Sequence, residues 1–457
     1  MTGDADTVNW FWAQQALLPH GWADDVRFSV RAGVIESLQA GAARLPGDAA
    51  LHAVAPGLCN LHSHAFQRGM AGLAEVGSAG GDNFWSWRQL MYQFVQRLDP
   101  DTFQAIAELA YMEMLEAGFT RVGEFHYLHH DIGGRPYTNR VEMSHRVLAA
   151  AEETGIGVTL LPVFYAHSDF GGAPPSPAQA RLIHDLDGFG RLYADLSAAA
   201  AHTPDTVLGV APHSLRAVTP DQLSVLTAMG NGPIHLHIAE QQREVDACLA
   251  WSGLRPVQLL MSHAPVDERW CLVHATHVTA EELAGIAASK AVVGLCPITE
   301  ANLGDGLFPM AAFAQAGGRF GVGSDSNVRI DAAGELSLLE YGQRLQVMAR
   351  NVLAPAGQST GQWLYTQAAA GGAQALGVVS GLAAGCAADF IELDLNHSSL
   401  VHRNHAALLD SWLFAGRNAS LRSVWRRGRQ WVCQGRHLHR DVITTRFSAA
   451  MVKLLAR

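Results

Sequence analysis

Two rhythms of apolar and polar residues divide the chain. Between residues 16 and 38 the alternation is short and close to every second position, clearest in Val26-Arg27-Phe28-Ser29-Val30 and broken at Ala32-Gly33. That period predicts strands of a small antiparallel sheet. From Gly57 to about Gly377, short apolar runs alternate with longer helix-like segments. One run ends at His62, and the others cover residues 121–125, 157–163, 207–211, 234–238, 270–273, 292–296 and 320–323. Gly, Pro or Asp bounds these runs, and the stretches between them are long enough for crossover helices, as parallel strands require. Eight strands predict a (β/α)8 barrel; a doubly wound open sheet gives a similar pattern, but the count favours the barrel. After Gly381 strands return at residues 389–393 and in a hairpin of 424–426 with 429–433 around Gly428, followed by a helix over 444–455. The two strand-rich ends, 1–56 and 380–457, are expected to share one small β domain, with the barrel 57–379 between them.

Composition narrows the function classes. Hydrophobic residues make up 49% of the 457 and charged residues 16%, which excludes a chain disordered throughout. The net charge of -10 without a basic block argues against nucleic acid and leaves a small molecule as the expected partner. Six scattered cysteines without a CxxC pair suit a reducing compartment. The N-terminus lacks the basic and apolar regions of an export leader, so the cytoplasm is the default location. The Ala/Gly-rich stretch 368–388 is too weakly apolar, and too interrupted by Gln374 and Ser380, for a membrane span.

Chemistry gathers at the strand ends. His62 and His64, two apart, project to one side of their strand and can share a cation. Three further strand ends carry suitable groups: His237 with Glu240, His274, and Asp325. Barrel strand ends converge on one face, so these residues become neighbours, and three imidazoles with a carboxylate suit zinc or iron. On spacing alone His235 rivals His237, and His277 rivals His274. His129, His130 and His145 are read as surface or structural groups. Arg88, within Phe84-Trp85-Ser86-Trp87-Arg88, and Arg216, within His213-Ser214-Leu215-Arg216, could grip carboxylates; singly, each arginine would more ordinarily stack on its neighbours or pair at the surface.

These residues, in this order, resemble the amidohydrolase superfamily, and the stretch Pro56-Gly57-Leu58-Cys59-Asn60-Leu61-His62-Ser63-His64 looks like its one-metal deaminase and chlorohydrolase branch. The resemblance implies an α/β fold, a (β/α)8 TIM-type barrel with a small β-sandwich-like domain. It implies His62, His64, His237 and Asp325 as the set for one divalent metal, zinc before iron, which would acidify a bound water. Asp325 would take that water's proton, His274 would orient it, and Glu240 would protonate the departing nitrogen. No lysine lies between His64 and His237, so a carboxylated lysine bridging two metals is excluded. Glu124 could bridge instead, but is read as a supporting or substrate-side acid.

Longer blocks narrow the resemblance further. They include Asn60-Leu61-His62-Ser63-His64-Ala65-Phe66-Gln67-Arg68, Glu124-Phe125-His126-Tyr127 and Thr299-Glu300-Ala301-Asn302-Leu303-Gly304-Asp305-Gly306. Together with the two arginine segments these look like the formimidoylglutamate deiminase family, which turns N-formimino-L-glutamate into N-formyl-L-glutamate and ammonia in histidine degradation. That implies Gln67, Arg88, Tyr127, His213 and Arg216 as the substrate's contacts, and a homodimer. Two guanidinium groups match a dicarboxylate. Asn327 departs from the pattern, where His is expected. A one-metal deaminase of purine, pterin or pyrimidine rings is the alternative; an inactive barrel with a binding role is a third reading.

Overall fold

The alternating N-terminal runs become strands β1 (Val8–Leu18), β2 (Gly21–Arg31), β3 (Val34–Gln39) and β4 (Ala49–Pro56) in a computed structural model. It describes residues 7–456 apart from 78, 80, 202, 204 and 417; residues 1–6, part of the stretch read as lacking a leader, lie outside the described residues. The barrel staves are β5 (Leu58–Ser63), β6 (Phe119–His126), β7 (Gly157–Phe164), β8 (Thr206–Leu208) with β9 (Ala211–Pro212), β10 (Ile234–Ile238), β11 (Trp270–His274), β12 (Val292–Leu295) and β13 (Arg319–Val322). Parallel pairing runs from β5 to β8 and from β10 to β13. Bridges Val210↔Ile234, Ser214↔His237 and Ser63↔Asp325 join the two halves into a closed ring. Every residue of β6, β7, β10 and β11 is buried, which is why these strands read as unbroken apolar runs.

The fourth stave corrects a boundary, because the predicted run 207–211 is two short strands. Both pair with β7, and the break falls at Gly209, where a side chain would come within 2.5 Å of Pro233 O. Pro212 also has no N–H to extend the ladder. Inside the barrel, Leu61 occupies space left by glycines. A Cβ at Gly294 or Gly321 would meet its methyl groups at 2.8 and 2.5 Å, and one at Gly123 its carbonyl oxygen at 2.5 Å.

The chain ends meet in one eight-stranded sheet, ordered β17-β16-β15-β14-β4-β1-β2-β3, where β14 is Phe390–Leu393, β15 Leu421–Arg426, β16 Arg429–Cys433 and β17 Arg436–His437. Its sandwich-like character comes from curling. Phe11 on β1 and Trp425 on β15 are three strands apart, about 14 Å in a flat sheet, yet their ring centres lie 5.1 Å apart. Phe28 and Phe390 likewise meet at 5.5 Å. β4 leads through Gly57 straight into β5, so the sheet and the barrel share one strand direction at their junction.

The Ala/Gly-rich stretch begins within the helix Thr360–Ala375, which closes the barrel floor. Gly371 permits this contact, since a Cβ there would overlap Phe320 O. Among the described residues no helix is long and apolar enough to cross a membrane. The last helix, Arg440–Leu455, starts one turn earlier than predicted. It lies along the helix Pro100–Glu116, to which Arg440–Glu116, Arg446–Glu108 and Lys453–Asp99 pairs bind it.

Candidate active site

Strand ends supply the centre of the site. His62 and His64 lie on β5 and just after it, His237 on β10, and Asp325 three residues after β13. One ligand atom from each comes within 4.8 Å of the others, all buried. His62 Nε2 is 3.0 Å from His237 Nε2 and 3.4 Å from Asp325 Oδ1, while His64 Nε2 is 3.3 Å from Asp325 Oδ1. The outer nitrogens fix these faces, with His64 Nδ1 on Phe125 O at 3.0 Å and His237 Nδ1 on His213 O at 3.1 Å. Nδ1 therefore carries the proton in both rings and Nε2 presents a lone pair inward. Burial, then neighbouring imidazoles, push His62 and His237 well below their ordinary pKa, and burial lowers His64. Neutral imidazole lone pairs 3.0 Å apart and facing a carboxylate are a donor set that fits a divalent cation.

The loops around this set adopt backbone that side chains rarely accept. Ala239, His274, Ala275, Asp325 and Asn327 all have φ between 45° and 69°. Asn327 explains its own place, because Asn tolerates that region. Its Nδ2 lies 3.1 Å from each of Ser63 Oγ, His64 O and Asp325 O, and its Oδ1 accepts from Ser324 Oγ at 2.6 Å. The residue that departs from the expected His thus ties the β5 end to the Asp325 loop.

His274 and Glu240 stand beside the cluster. His274 Nε2 is 3.7 Å from Glu240 Oε1 and 3.8 Å from Asp325 Oδ2, and its Nδ1 is 3.2 Å from Glu300 Oε1. Burial would lower His274, but Glu240, the Glu300 hydrogen bond and Asp325 together push it up to about 10. Burial pushes Glu240 up to about 7 against the pull of His274 and Arg216. Glu240 is therefore the member of the pair placed to gain or lose a proton near neutral pH.

One pocket opens onto these groups, and Gln67, Arg88, Tyr127, His213 and Arg216 all line it. Gln67 Nε2 donates to Tyr127 Oη at 2.8 Å, while Gln67 Oε1 and Arg216 Nε are buried without partners. Such groups ask for a ligand. Arg216 is 6% exposed and faces Glu244 at 4.0 Å, so the surface alternative for it does not hold. Arg88 does both things weighed for it: its guanidinium sits 4.4 Å over the Trp85 ring and also lines the pocket. The tryptophan-rich segment starts helix α1 (Phe84–Val95), capped by Asn83, whose Oδ1 accepts from Trp85 N and Ser86 N.

The rival histidines are used elsewhere. His235 lies two residues deeper in the barrel than His237, and its Nε2 reaches Ala375 O at 2.7 Å. His277 Nε2 is 2.9 Å from Asp305 O. Glu124 Oε1 accepts from Ala65 N at 2.8 Å, supporting the loop after His64, and burial pushes it up to about 8. His129 and His130 are structural, on Val163 O and Ile183 O, and His145 is exposed. Sequence reasoning missed Glu300, which steadies His274, and the pocket tyrosines Tyr92 and Tyr165. Of these only Glu300 lay in a singled-out block, and nothing in its spacing marked it.

The model described as "Amidohydrolase family" matches residues 53–431. The chain belongs to the amidohydrolase family. A second model, "Formimidoylglutamate deiminase HutF, N-terminal domain", matches residues 9–52 of this amidohydrolase. The formimidoylglutamate deiminase of Pseudomonas aeruginosa is 50% identical over 97% of this chain and 99% of its own. Among solved structures, an amidohydrolase from Brucella melitensis has a TM-score of 0.95 at 51% identity, covering 98% of this chain and 100% of that one. An adenosine deaminase from Xanthomonas campestris with bound zinc shares the fold at 20% identity, with a TM-score of 0.82 over 98% of each chain. The family resemblance read from the motifs is borne out, and the protein is a hydrolytic deiminase of the amidohydrolase family.

Proposed function

We propose that this amidohydrolase converts N-formimino-L-glutamate and water into N-formyl-L-glutamate and ammonia, a step of histidine degradation. The observation that carries the reading is Arg88 and Arg216 in one pocket that opens onto His64, His237 and Asp325. Two fixed guanidinium groups suit a substrate with two carboxylates, and a relative 50% identical bears that activity in its name.

His62, His64, His237 and Asp325 would hold one divalent ion, zinc before iron, which supplies a water acidified towards neutrality. Gln67, Tyr127, His213 and the two arginines bind and orient the substrate so that its formimino carbon faces that water. Asp325 would accept a proton from the attacking water, and His274 would orient the water's oxygen towards that carbon. Glu240 would deliver that proton to the terminal nitrogen, and the remaining hydroxyl proton would follow by the same route, so that the C–N bond breaks with the nitrogen leaving as ammonia while C=O forms. Residues 237–240 serve this well, because Glu240 sits beside His274 and is held near neutrality.

All six cysteines are free thiols, in keeping with the cytoplasmic location we propose. A second copy of the chain as partner rests on the family likeness. The test is ammonia release by zinc-loaded protein from N-formimino-L-glutamate, with N-formimino-L-aspartate, guanine and cytosine as competitors. Turnover confined to the first compound supports the reading. Turnover of a ring base instead would replace it, and silence on all four with one metal bound would leave the family centre with another substrate.

A further inference from the structure

Three guanidinium groups surround one indole at the pocket mouth. Arg88 Cζ lies 4.4 Å from the Trp85 ring centre, Arg243 Cζ 4.5 Å and Arg216 Cζ 5.7 Å. Two of these arginines belong to the pocket wall; Arg243 does not line it. Among the described residues only Arg216 of the three makes an ion pair, with Glu244 at 4.0 Å, and that carboxylate also accepts from Ala239 N and Glu240 N at 3.2 Å. Arg243 is the second residue of the helix Gln242–Ser252, where a positive charge opposes the helix dipole. Among the described residues its guanidinium meets Trp85 across the gap.

Trp85 stands in the first turn of α1, and Phe84, Trp87, Arg88, Met91 and Tyr92 of that helix line the pocket. Whatever fixes Trp85 fixes this wall. We propose that Arg243 is a positioning residue, clasping the Trp85 ring so that α1 stays closed over the pocket and presents Arg88 to an anionic substrate. The anionic substrate rests on the function proposed above; the clasp itself does not. Arg243 is exposed, and a cation over indole at such a site stabilises the closed form by about 2- to 5-fold. Substrate binding should carry that factor while the chemical step, made by groups Arg243 does not touch, should not.

The test compares Arg243→Met, which keeps the stem and removes the cation, with Arg243→Lys and Trp85→Leu. Hydrogen exchange of the amides in 84–95, without substrate, should quicken about 2- to 5-fold in Arg243→Met and Trp85→Leu and less in Arg243→Lys. In ammonia release from N-formimino-L-glutamate, KM should rise by the same factor with kcat within twofold, and Arg243→Lys should recover part of the loss. Unchanged exchange in both Arg243→Met and Trp85→Leu overturns the clasp, as does a fall in kcat at constant KM. If the protein releases no ammonia from this substrate, the functional reading has failed and the exchange rates alone decide the clasp.

Discussion

Replacing Arg216 by Met should separate what the site needs from what the fold needs. The guanidinium is buried, its Nε has no hydrogen-bond partner, Glu244 lies at 4.0 Å, and Glu240 adds its field. Burial disfavours this cation and the fields of Glu244 and Glu240 offset that cost, so with no hydrogen bond to Nε its net contribution to the fold is small. Glu244 is not orphaned by the change, since two backbone N–H groups still reach it at 3.2 Å. Met fills the space of the arginine stem, so unfolding stability should change by less than about 1 kcal/mol, with a gain as acceptable as a loss. Binding behaves oppositely. Removing one partner of a desolvated charge pair with a substrate carboxylate costs about 2–5 kcal/mol, which is about 30- to 4,000-fold in kcat/KM. Arg216→Lys should fall between, because a point charge cannot reproduce the planar fork. The measurements are urea unfolding and initial rates of ammonia release on the same preparations. A variant destabilised by more than about 2 kcal/mol with kcat/KM within threefold of the parent would show that Arg216 serves the fold, and would refute the reasoning.

Asn327→Ala should lose about 2–4 kcal/mol in urea unfolding, because it leaves buried hydroxyls and carbonyls unpaired at a φ of 55°. Asn327→Gly should lose about 1 kcal/mol less, since glycine accepts that conformation; equal losses would remove backbone strain from the account. His237→Ala should lower zinc content, measured by elemental analysis after dialysis, from one ion per chain to under about a tenth, and full retention would exclude it from the metal set. Asp99 is held down to about 2: burial opposes this, but Lys453 and the Thr102 N–H prevail. Its folded pKa lies below the unfolded one, so its contribution is present above about pH 4 and lost as pH falls through about 2. Asp99→Asn keeps a cap for the helix Pro100–Glu116 and removes the ion pair, which is half-exposed and worth under about 1 kcal/mol. The stability gap to the parent should close as pH falls from 4 to 2, and a gap that persists at pH 2 would assign the effect to the cap.

Much of the fold was legible because a barrel repeats itself: burial on both sides leaves apolar runs, as in β10, whose bounds 234–238 were read correctly. The split fourth stave was not legible, since what breaks it is a neighbour, Pro233 O against Gly209. The family, and with it the reaction class, followed from the blocks around His62 and His237, where chemistry and local sequence coincide. His235 and His237 could not be told apart by alternation, as residues two apart face the same way. Depth separates them, for His235 lies about 7 Å further down the strand, against the helix carbonyl of Ala375. Arg243 and Glu300 were invisible for a related reason. Their partners, Trp85 and His274, lie on other elements, and only barrel closure brings them near.

The curled sheet sets an order on biosynthesis. β4 pairs with β14 through Ala53↔Leu393, positions 340 residues apart. A ribosome adding about 5–20 residues per second finishes β4 about 17–70 s before its partner exists. Through that interval the β4 edge is an open template for foreign strands, and Gly57 already commits the same chain to the first stave of the barrel. A nascent barrel can form beside an incomplete sheet, so the hazard of mispairing during translation falls on the small domain, and production at low temperature or with holdase chaperones should relieve it there first.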